Sequence, residues 1–189
     1  MNYLGSVFTS LQTRLIGVIT STDGDWRGSS EPPRGIAVKS SSVYVARRWS
    51  PDIEVYRIGN KATINSRKTY SLAGSWRPDD LVASFTDSVL YLLGWIASNK
   101  QVVHVLSCET GGVLASWPVI KMPRRLSVDT GSQDVLMACQ DGLRSYSNSG
   151  LLLSIIPVKL NASCVWHAVQ IPTQTSCSHF DRFDVNLFC

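Results

Sequence analysis

A proline recurs with a fixed period of 45 residues in this chain, at Pro33, Pro78 and Pro123. The match continues beyond the proline, because an Ile or Leu follows each one after three residues and a Val or Ala after five. Self-similarity at a period of roughly 20–50 residues is the mark of a repeat architecture, in which each copy is one supersecondary unit. The sequence therefore predicts a fold built from stacked copies of one unit.

Each copy contains short apolar segments of the kind that form β-strands. They are rich in Val, Ile, Leu and Tyr, and turn residues such as Gly, Ser, Asn and Asp separate them. The clearest examples are 43–46, 53–58, 90–93, 101–106, 113–117, 135–138, 143–146 and 151–156. Several lack polar and apolar alternation, which indicates strands that are buried on both faces. Four such strands in each antiparallel unit describe a β-propeller, whereas helical repeats would need amphipathic helices that the sequence lacks.

The repeat also divides the chain into units. We predict an all-β fold, a partial β-propeller of about three four-stranded blades with extra N-terminal and C-terminal strands. The blades are assigned to 33–77, 78–122 and 123–163, with the start of a further blade at 164–171, after an N-terminal segment 1–32 that supplies outer strands of another blade. The tail 172–189 diverges and fits no unit. Each repeated proline should precede the first strand of its blade, because proline lacks the N–H that a sheet ladder uses.

Two segments resemble degenerate NHL repeats. In the first, Gly94-Trp95-Ile96-Ala97-Ser98-Asn99 leads into the Val-rich segment 101–105 and the glycine turn of 110–114. The second is the possible blade start at 164–170, and the resemblance covers about residues 30–171. The Trp-Asp signature of WD-repeat propellers is absent. The resemblance implies a six-bladed propeller that binds proteins or RNA, and it supplies no catalytic residue.

The number of units falls short of a closed ring. Three units and one further strand are fewer than the roughly 4–8 blades that propellers use. An open arc would leave apolar blade faces exposed, which soluble monomers rarely tolerate. We therefore expect either a fragment of a longer protein or a ring that a second subunit completes, and the fragment is the favoured hypothesis.

Charge and cysteine content narrow the setting. The chain has 18 Lys and Arg against 14 Asp and Glu, a net charge of +4, which is too mild to indicate nucleic-acid binding unless it is clustered. The 5 cysteines are an odd number and are dispersed, and residues 1–8 lack the features of a signal peptide. These observations predict reduced thiols and a cytoplasmic protein. No apolar run is long enough for a transmembrane helix, so no membrane partner is expected.

Basic residues occupy positions that a propeller would bring to one rim. The candidate binding residues are Arg34, Arg47, Arg48, Trp49, Lys121, Arg124 and Arg125. Residues 47–49 follow the second strand of one unit, and residues 121–125 flank the start of another. Arg34 is equivalent to Arg124 in the repeat. Arginine with an exposed tryptophan can bind phosphate and stack on bases. The rim therefore suits a protein partner or, alternatively, RNA.

No constellation in the sequence indicates catalysis. Zinc binding by Cys164, His167, Cys177 and His179 is less favoured than strand and tail positions for those residues. His104 replaces Tyr56 and Tyr146 of the other copies, which is typical of a packing position. Asp79, Asp80 and Asp129 do not recur at one blade position, which weighs against a propeller hydrolase with a metal in the channel. We expect no cofactor, no metal and no enzymatic activity, and the favoured hypothesis is a scaffold that binds another protein.

Overall fold

The computed structural model describes residues 33–59, 64–96, 100–139, 142–157, 167–170 and 185–188. These residues form strands and connecting turns, without a helix. The strands are β1 Pro33–Lys39, β2 Ser42–Arg47, β3 Asp52–Ile58, β4 Ile64–Ser71, β5 Trp76–Ala83, β6 Val89–Ile96, β7 Lys100–Ser107, β8 Val113–Pro118, β9 Arg125–Val128, β10 Val135–Cys139, β11 Gly142–Tyr146, β12 Leu152–Pro157, β13 His167–Gln170 and β14 Val185–Phe188. Over the described ranges, the chain has no helical segment with the length and hydropathy needed to cross a membrane.

The strands form three antiparallel sheets of four strands each, in which neighbours along the chain are also neighbours in the sheet. The sheets are β1 to β4, β5 to β8 and β9 to β12, and β13 pairs with β14 in a smaller sheet. Short turns permit this meander, because consecutive antiparallel strands need only a few residues between them. The predicted all-β fold and partial propeller are confirmed. The predicted N-terminal segment 1–32 lies outside the described residues.

The inner strands of the second sheet are buried on both faces between the first and the third sheets, while its last strand, β8, is largely exposed. Successive residues of β6 point to opposite sides, so that Leu90 and Leu92 pack against the first sheet while Tyr91 and Leu93 pack against the third. Val103 and Val105 of β7 join the second of these cores. Burial on both faces explains why β6 is a continuous apolar run rather than an alternating one.

The first strands of successive sheets lie side by side, in the order β1, β5, β9 and β13. β1 and β5 approach each other closely at Gly35 of β1, where an added Cβ atom would overlap the backbone nitrogen of Leu81 in β5. Only a residue without a side chain fits there, because real Cβ atoms do not come so close to backbone. Gly35 therefore sets the distance between the first two blades and positions Arg34, its neighbour in the chain.

One detail of the strand layout differs from the sequence prediction. Pro78 lies inside β5 and pairs with Gly94 next to a register shift, whereas Pro33 begins β1 and Pro123 precedes β9. The irregular ladder at this point accommodates a residue that has no N–H to donate. In the tail, Val185–Phe188 forms β14 and pairs with β13, in line with the C-terminal strands of the predicted fold.

Candidate functional site: an arginine cleft between three blades

A cleft of about 270 Å³ opens where the first three sheets meet. It is lined by Arg34, Arg48, Arg77, Asp79, Trp95, Gln101, Met122, Pro123, Arg124 and Arg125. We call it the arginine cleft, because five of these residues are arginines and only one is acidic. Its lining comes from all three four-stranded sheets, so that it exists only when the blades are packed together.

Equivalent positions of the repeat supply much of the lining. Arg77 and Met122 each immediately precede a repeated proline, and both line the cleft. Arg48 and Trp95 are also equivalent, because each follows the residue that pairs with that proline in the adjacent strand, namely Arg47 for Pro33 and Gly94 for Pro78. Two positions of the repeat therefore line the cleft: the residue before the proline and the residue after its cross-strand partner. They are occupied by Arg48, Arg77, Trp95 and Met122.

Aromatic rings hold two of the guanidinium groups. The Cζ atom of Arg48 lies 4.9 Å from the ring centroid of Trp49, and that of Arg77 lies 5.2 Å from the same ring. The Arg77 guanidinium also lies 6.0 Å from the Trp95 ring. Stacking on aromatic faces stabilises a guanidinium while leaving its N–H edge able to bind a ligand. Trp49 is 51% exposed, so this stack borders solvent.

Arg125 has a structural role in the cleft. Its Nη1 donates to the carbonyl oxygens of Arg34 at 2.9 Å and Asp79 at 3.2 Å, and it lies 3.5 Å from Asp80 Oδ1. Asp80 in turn accepts the backbone N–H of Leu126 at 2.7 Å. Burial raises the pKa of Asp80 to about 6, and the Leu126 N–H and the Arg125 charge oppose that rise. These contacts join β1, β5 and β9.

Gln101 completes the connection between the second and third blades. Its side-chain Nε2 donates to Asp79 Oδ2 at 3.1 Å and to the carbonyl oxygen of Pro123 at 3.2 Å. Asp79 in the cleft and the neighbouring Asp80 are therefore both engaged in contacts within the protein. Among the described residues, Arg34, Arg48 and Arg77 have no carboxylate within ion-pair distance. The Nε of Arg34 is buried and has no hydrogen-bond acceptor there.

The predicted rim residues fall into two groups. Arg34, Arg48, Arg124 and Arg125 line the cleft, and Trp49 stacks on two arginines beside it. Lys121 is exposed, two residues before Pro123, and does not line it.

Arg47 does not belong to an exposed rim, contrary to the sequence prediction. It is the last residue of β2 rather than part of the following loop, and it is only 3% exposed. Its Nε and Nη2 donate to the two carboxylate oxygens of Glu54 at 3.2 and 3.1 Å. The hydroxyl of Tyr56 donates to the same carboxylate at 2.8 Å. A charge that is buried with its partner in this way joins β2 to β3 and is not presented to a ligand.

Six residues that line the cleft were not among the predicted binding residues: Arg77, Asp79, Trp95, Gln101, Met122 and Pro123. A signal was present for Arg77 and Met122, since both stand immediately before a repeated proline. Trp95 was harder to find, because it lies 47 residues after its equivalent Arg48 rather than 45. The strand register, and not the sequence spacing, makes those two positions equivalent.

The remaining residues of interest are those that the sequence offered for metal binding or catalysis. Within the described part of the chain, no group of three or more His, Cys, Asp or Glu side chains is placed to hold a metal ion. Cys164, Cys177 and His179 lie outside that part. The His104 ring packs 4.2 Å from the Trp76 ring and its Nδ1 forms a hydrogen bond with Ser116 Oγ, and burial lowers the pKa of His104.

No protein-family model matches the sequence, and no curated protein matches it. Solved structures do resemble the fold. The WD40 β-propeller domain of Doa1 superposes with a TM-score of 0.55 at 16% identity, over 74% of this chain and 44% of that one. A protein of unknown function from Bacteroides caccae superposes with a TM-score of 0.50 at 10% identity, over 76% of this chain and 51% of that one. This chain thus spans about half the length of both structures, and the likeness establishes a propeller fold.

Proposed function

We propose that this chain is a non-catalytic interaction scaffold, an NHL-like propeller that binds an acidic segment of another protein in the arginine cleft. The observation that carries the proposal is the convergence of arginines from three blades on one cleft that contains a single acidic side chain. Like charges held close together repel one another, and an acidic ligand relieves that repulsion. The role requires charge and shape complementarity and no reacting group. Its proposed setting is the cytoplasm, where Cys108 and Cys139 remain reduced.

Apolar side chains around the cleft favour a protein ligand. Met122 lines the cleft and is 50% exposed, and Ile120 in the same loop is 64% exposed. Backbone dihedral angles hold this loop in an unusual shape, since Lys121 and Met122 have φ values of 69° and 47°. Residues other than glycine rarely adopt such positive φ values. A peptide that carries both acidic and apolar residues would cover the arginines and these side chains together.

Fluorescence anisotropy with a labelled peptide of alternating glutamate and leucine tests the proposal. The peptide should bind the wild-type protein, and its affinity should fall as salt is raised, because the contacts are ionic. Arg77→Gln should weaken binding about tenfold, the usual loss when one charge-assisted contact is removed. Arg57→Gln is the matched control, because Arg57 is an exposed arginine of β3 outside the cleft. Equal affinities for the two variants would refute the proposed site.

RNA is a second candidate ligand, and the exposed Trp49 with its two stacked arginines is the observation that favours it. Such a platform can stack on a base while arginine binds the adjacent phosphate. A labelled single-stranded oligouridine in the same assay separates the two candidates. Tighter binding of the oligonucleotide than of the acidic peptide, lost in Arg77→Gln, would favour RNA.

A further inference from the structure

We infer that the arginine cleft recognises a phosphorylated side chain of its protein partner. The inference rests on the proposed function and makes it more specific, because it names the chemical group that enters the cleft. It depends on three properties of the site: the number of guanidinium groups that converge, the absence of carboxylate partners for several of them, and the size of the space between them.

The number of arginines that line the cleft suits a phosphoryl group better than a carboxylate. A carboxylate offers two oxygens and a single negative charge, and one bidentate arginine can bind both oxygens. A phosphomonoester offers three oxygens and a charge of roughly −1.5 to −2 at a single point, so several arginines can bind it from different directions. Arg34, Arg48 and Arg77 come from two different blades and line the same cleft, which is the arrangement that a phosphoryl group would use.

The electrostatics of the cleft also favour an anion. The carboxylate of Asp80 is engaged with Arg125 and the Leu126 N–H, and that of Asp79 accepts a hydrogen bond from Gln101. Within the described residues, Arg34, Arg48 and Arg77 have no acidic partner, and the buried Nε of Arg34 has no acceptor. A buried donor without an acceptor carries an uncompensated desolvation cost. A ligand oxygen that accepted a hydrogen bond from this Nε would remove that cost.

The aromatic contacts of Arg77 also suit an anion with several oxygens. The Cζ atom of Arg77 lies 5.2 Å from the centroid of the Trp49 ring and 6.0 Å from that of the Trp95 ring. This stacking orients the plane of the guanidinium before a ligand arrives, and a preoriented fork loses less entropy when it binds two phosphate oxygens.

The size of the cleft distinguishes a side chain from a nucleic acid strand. A volume of about 270 Å³ accommodates a phosphorylated side chain but lies at the small end of ligand sites. Met122 at the cleft wall is half-exposed and can contact an apolar neighbour of the phosphorylated residue. An RNA backbone would instead need a basic groove that continues over several nucleotides. We therefore argue for a phosphopeptide.

Binding of three peptide pools tests this inference with the full chain. The pools are fluorescein-labelled and have random residues on both sides of a fixed central position, which is phosphoserine, glutamate or serine. The phosphoserine pool should bind about tenfold more tightly than the glutamate pool, because of its greater charge and additional oxygen. Free O-phosphoserine should compete for the site. Arg77→Gln and Arg34→Gln should each remove most of this preference, and Arg57→Gln should leave it unchanged.

The outcomes separate the inference from the proposed function. Equal binding of the glutamate and phosphoserine pools would overturn the phosphate preference and leave the acidic-segment proposal standing. Absence of binding by both pools would overturn both. If a single-stranded oligouridine displaced the phosphoserine pool and bound more tightly than it did, the cleft would be an RNA site and the inference would be wrong. Circular dichroism of the Arg34→Gln and Arg77→Gln variants would exclude loss of folding as the cause of lost binding.

Discussion

At the level of single residues, the approach of the first two blades depends on the absence of a side chain at Gly35. A Cβ atom there would meet Leu81 at its backbone nitrogen, 2.3 Å away, and at its Cβ, 2.7 Å away. Backbone cannot move aside as a flexible side chain can, so the two strands themselves would have to separate. Such a shift would also displace Arg34, and with it one wall of the arginine cleft.

Gly35→Ala should therefore destabilise the protein by about 1–3 kcal/mol, the usual cost of overpacking a closely packed site. Urea denaturation followed by tryptophan fluorescence would measure it. Gly131→Ala is a suitable control, because the nearest atom to its added Cβ is Asp129 Oδ1 at 3.4 Å, an ordinary contact. If both variants had the same free energy of unfolding, β1 and β5 would not approach each other as described.

Asp80 makes stability depend on pH. Burial raises the pKa of Asp80 from 3.8 to about 6, so the folded protein binds a proton there more tightly than the unfolded chain does. The stability that this protonation contributes is fully present below about pH 4 and is lost as the pH rises through about 6. At about 1.4 kcal/mol for each pKa unit, the loss is on the order of 3 kcal/mol.

Asp80→Asn should remove this pH dependence, because the asparagine oxygen can still accept the Leu126 N–H but carries no charge to titrate. The free energy of unfolding, measured in urea at pH 4 and at pH 7, should fall between the two values by on the order of 3 kcal/mol more in the wild type than in the variant. An identical pH dependence in the two proteins would show that Asp80 is not buried at the junction of β5 and β9.

At the level of the strands, two adjacent arginines have different roles because β2 ends between them. Arg47 is buried and pairs with Glu54 of β3, whereas Arg48 is exposed and stacks on Trp49. Arg47→Met should cost about 3 kcal/mol, because it leaves a largely buried carboxylate without its cation. Arg48→Met should change the free energy of unfolding by less than about 0.5 kcal/mol, as surface substitutions usually do. Comparable losses in chemical denaturation would contradict the assignment of Arg47 to the sheet.

The strands and their grouping into blades could be predicted from the sequence, and the register between neighbouring strands could not. The 45-residue period, the apolar runs and the turn residues identified the blade repeat, because these signals are local. The burial of Arg47 depends on Glu54, which the strand register brings opposite, and a register is not visible in the spacing of residues. The same limit applies to Trp95 in the cleft, because its place there depends on its cross-strand pairing with Arg77.

At the level of the whole molecule, the inner strands β6 and β7 are packed between neighbouring sheets, β8 is largely exposed, and β12 is exposed along its whole length. Its apolar residues remain exposed, with Leu153 at 49% and Ile155 at 50%, and Leu151 just before the strand at 66%. In the described part of the chain, β12 is the last strand of its sheet and has one partner, β11. An exposed apolar edge strand favours pairing with other chains.

The purified chain should therefore self-associate through β12. Static light scattering of the wild type should give a mass above that of a monomer, and the double variant Leu153→Lys and Ile155→Lys should shift it to the monomer. Because both side chains are exposed, the free energy of unfolding should change by less than about 0.5 kcal/mol. A wild-type protein that is monomeric over the same concentration range as the variant would contradict this prediction.

The central claim is that one ligand contacts three blades at a single cleft, and hydrogen–deuterium exchange tests it most directly. The acidic peptide would be added at saturation and the protection of backbone amides measured along the chain. We expect protection in three segments that are distant in sequence and adjacent in the fold, at 34–36, 77–81 and 122–126, and none in β12. Saturated binding that leaves all three segments unprotected, or that protects only one blade, would contradict the claim.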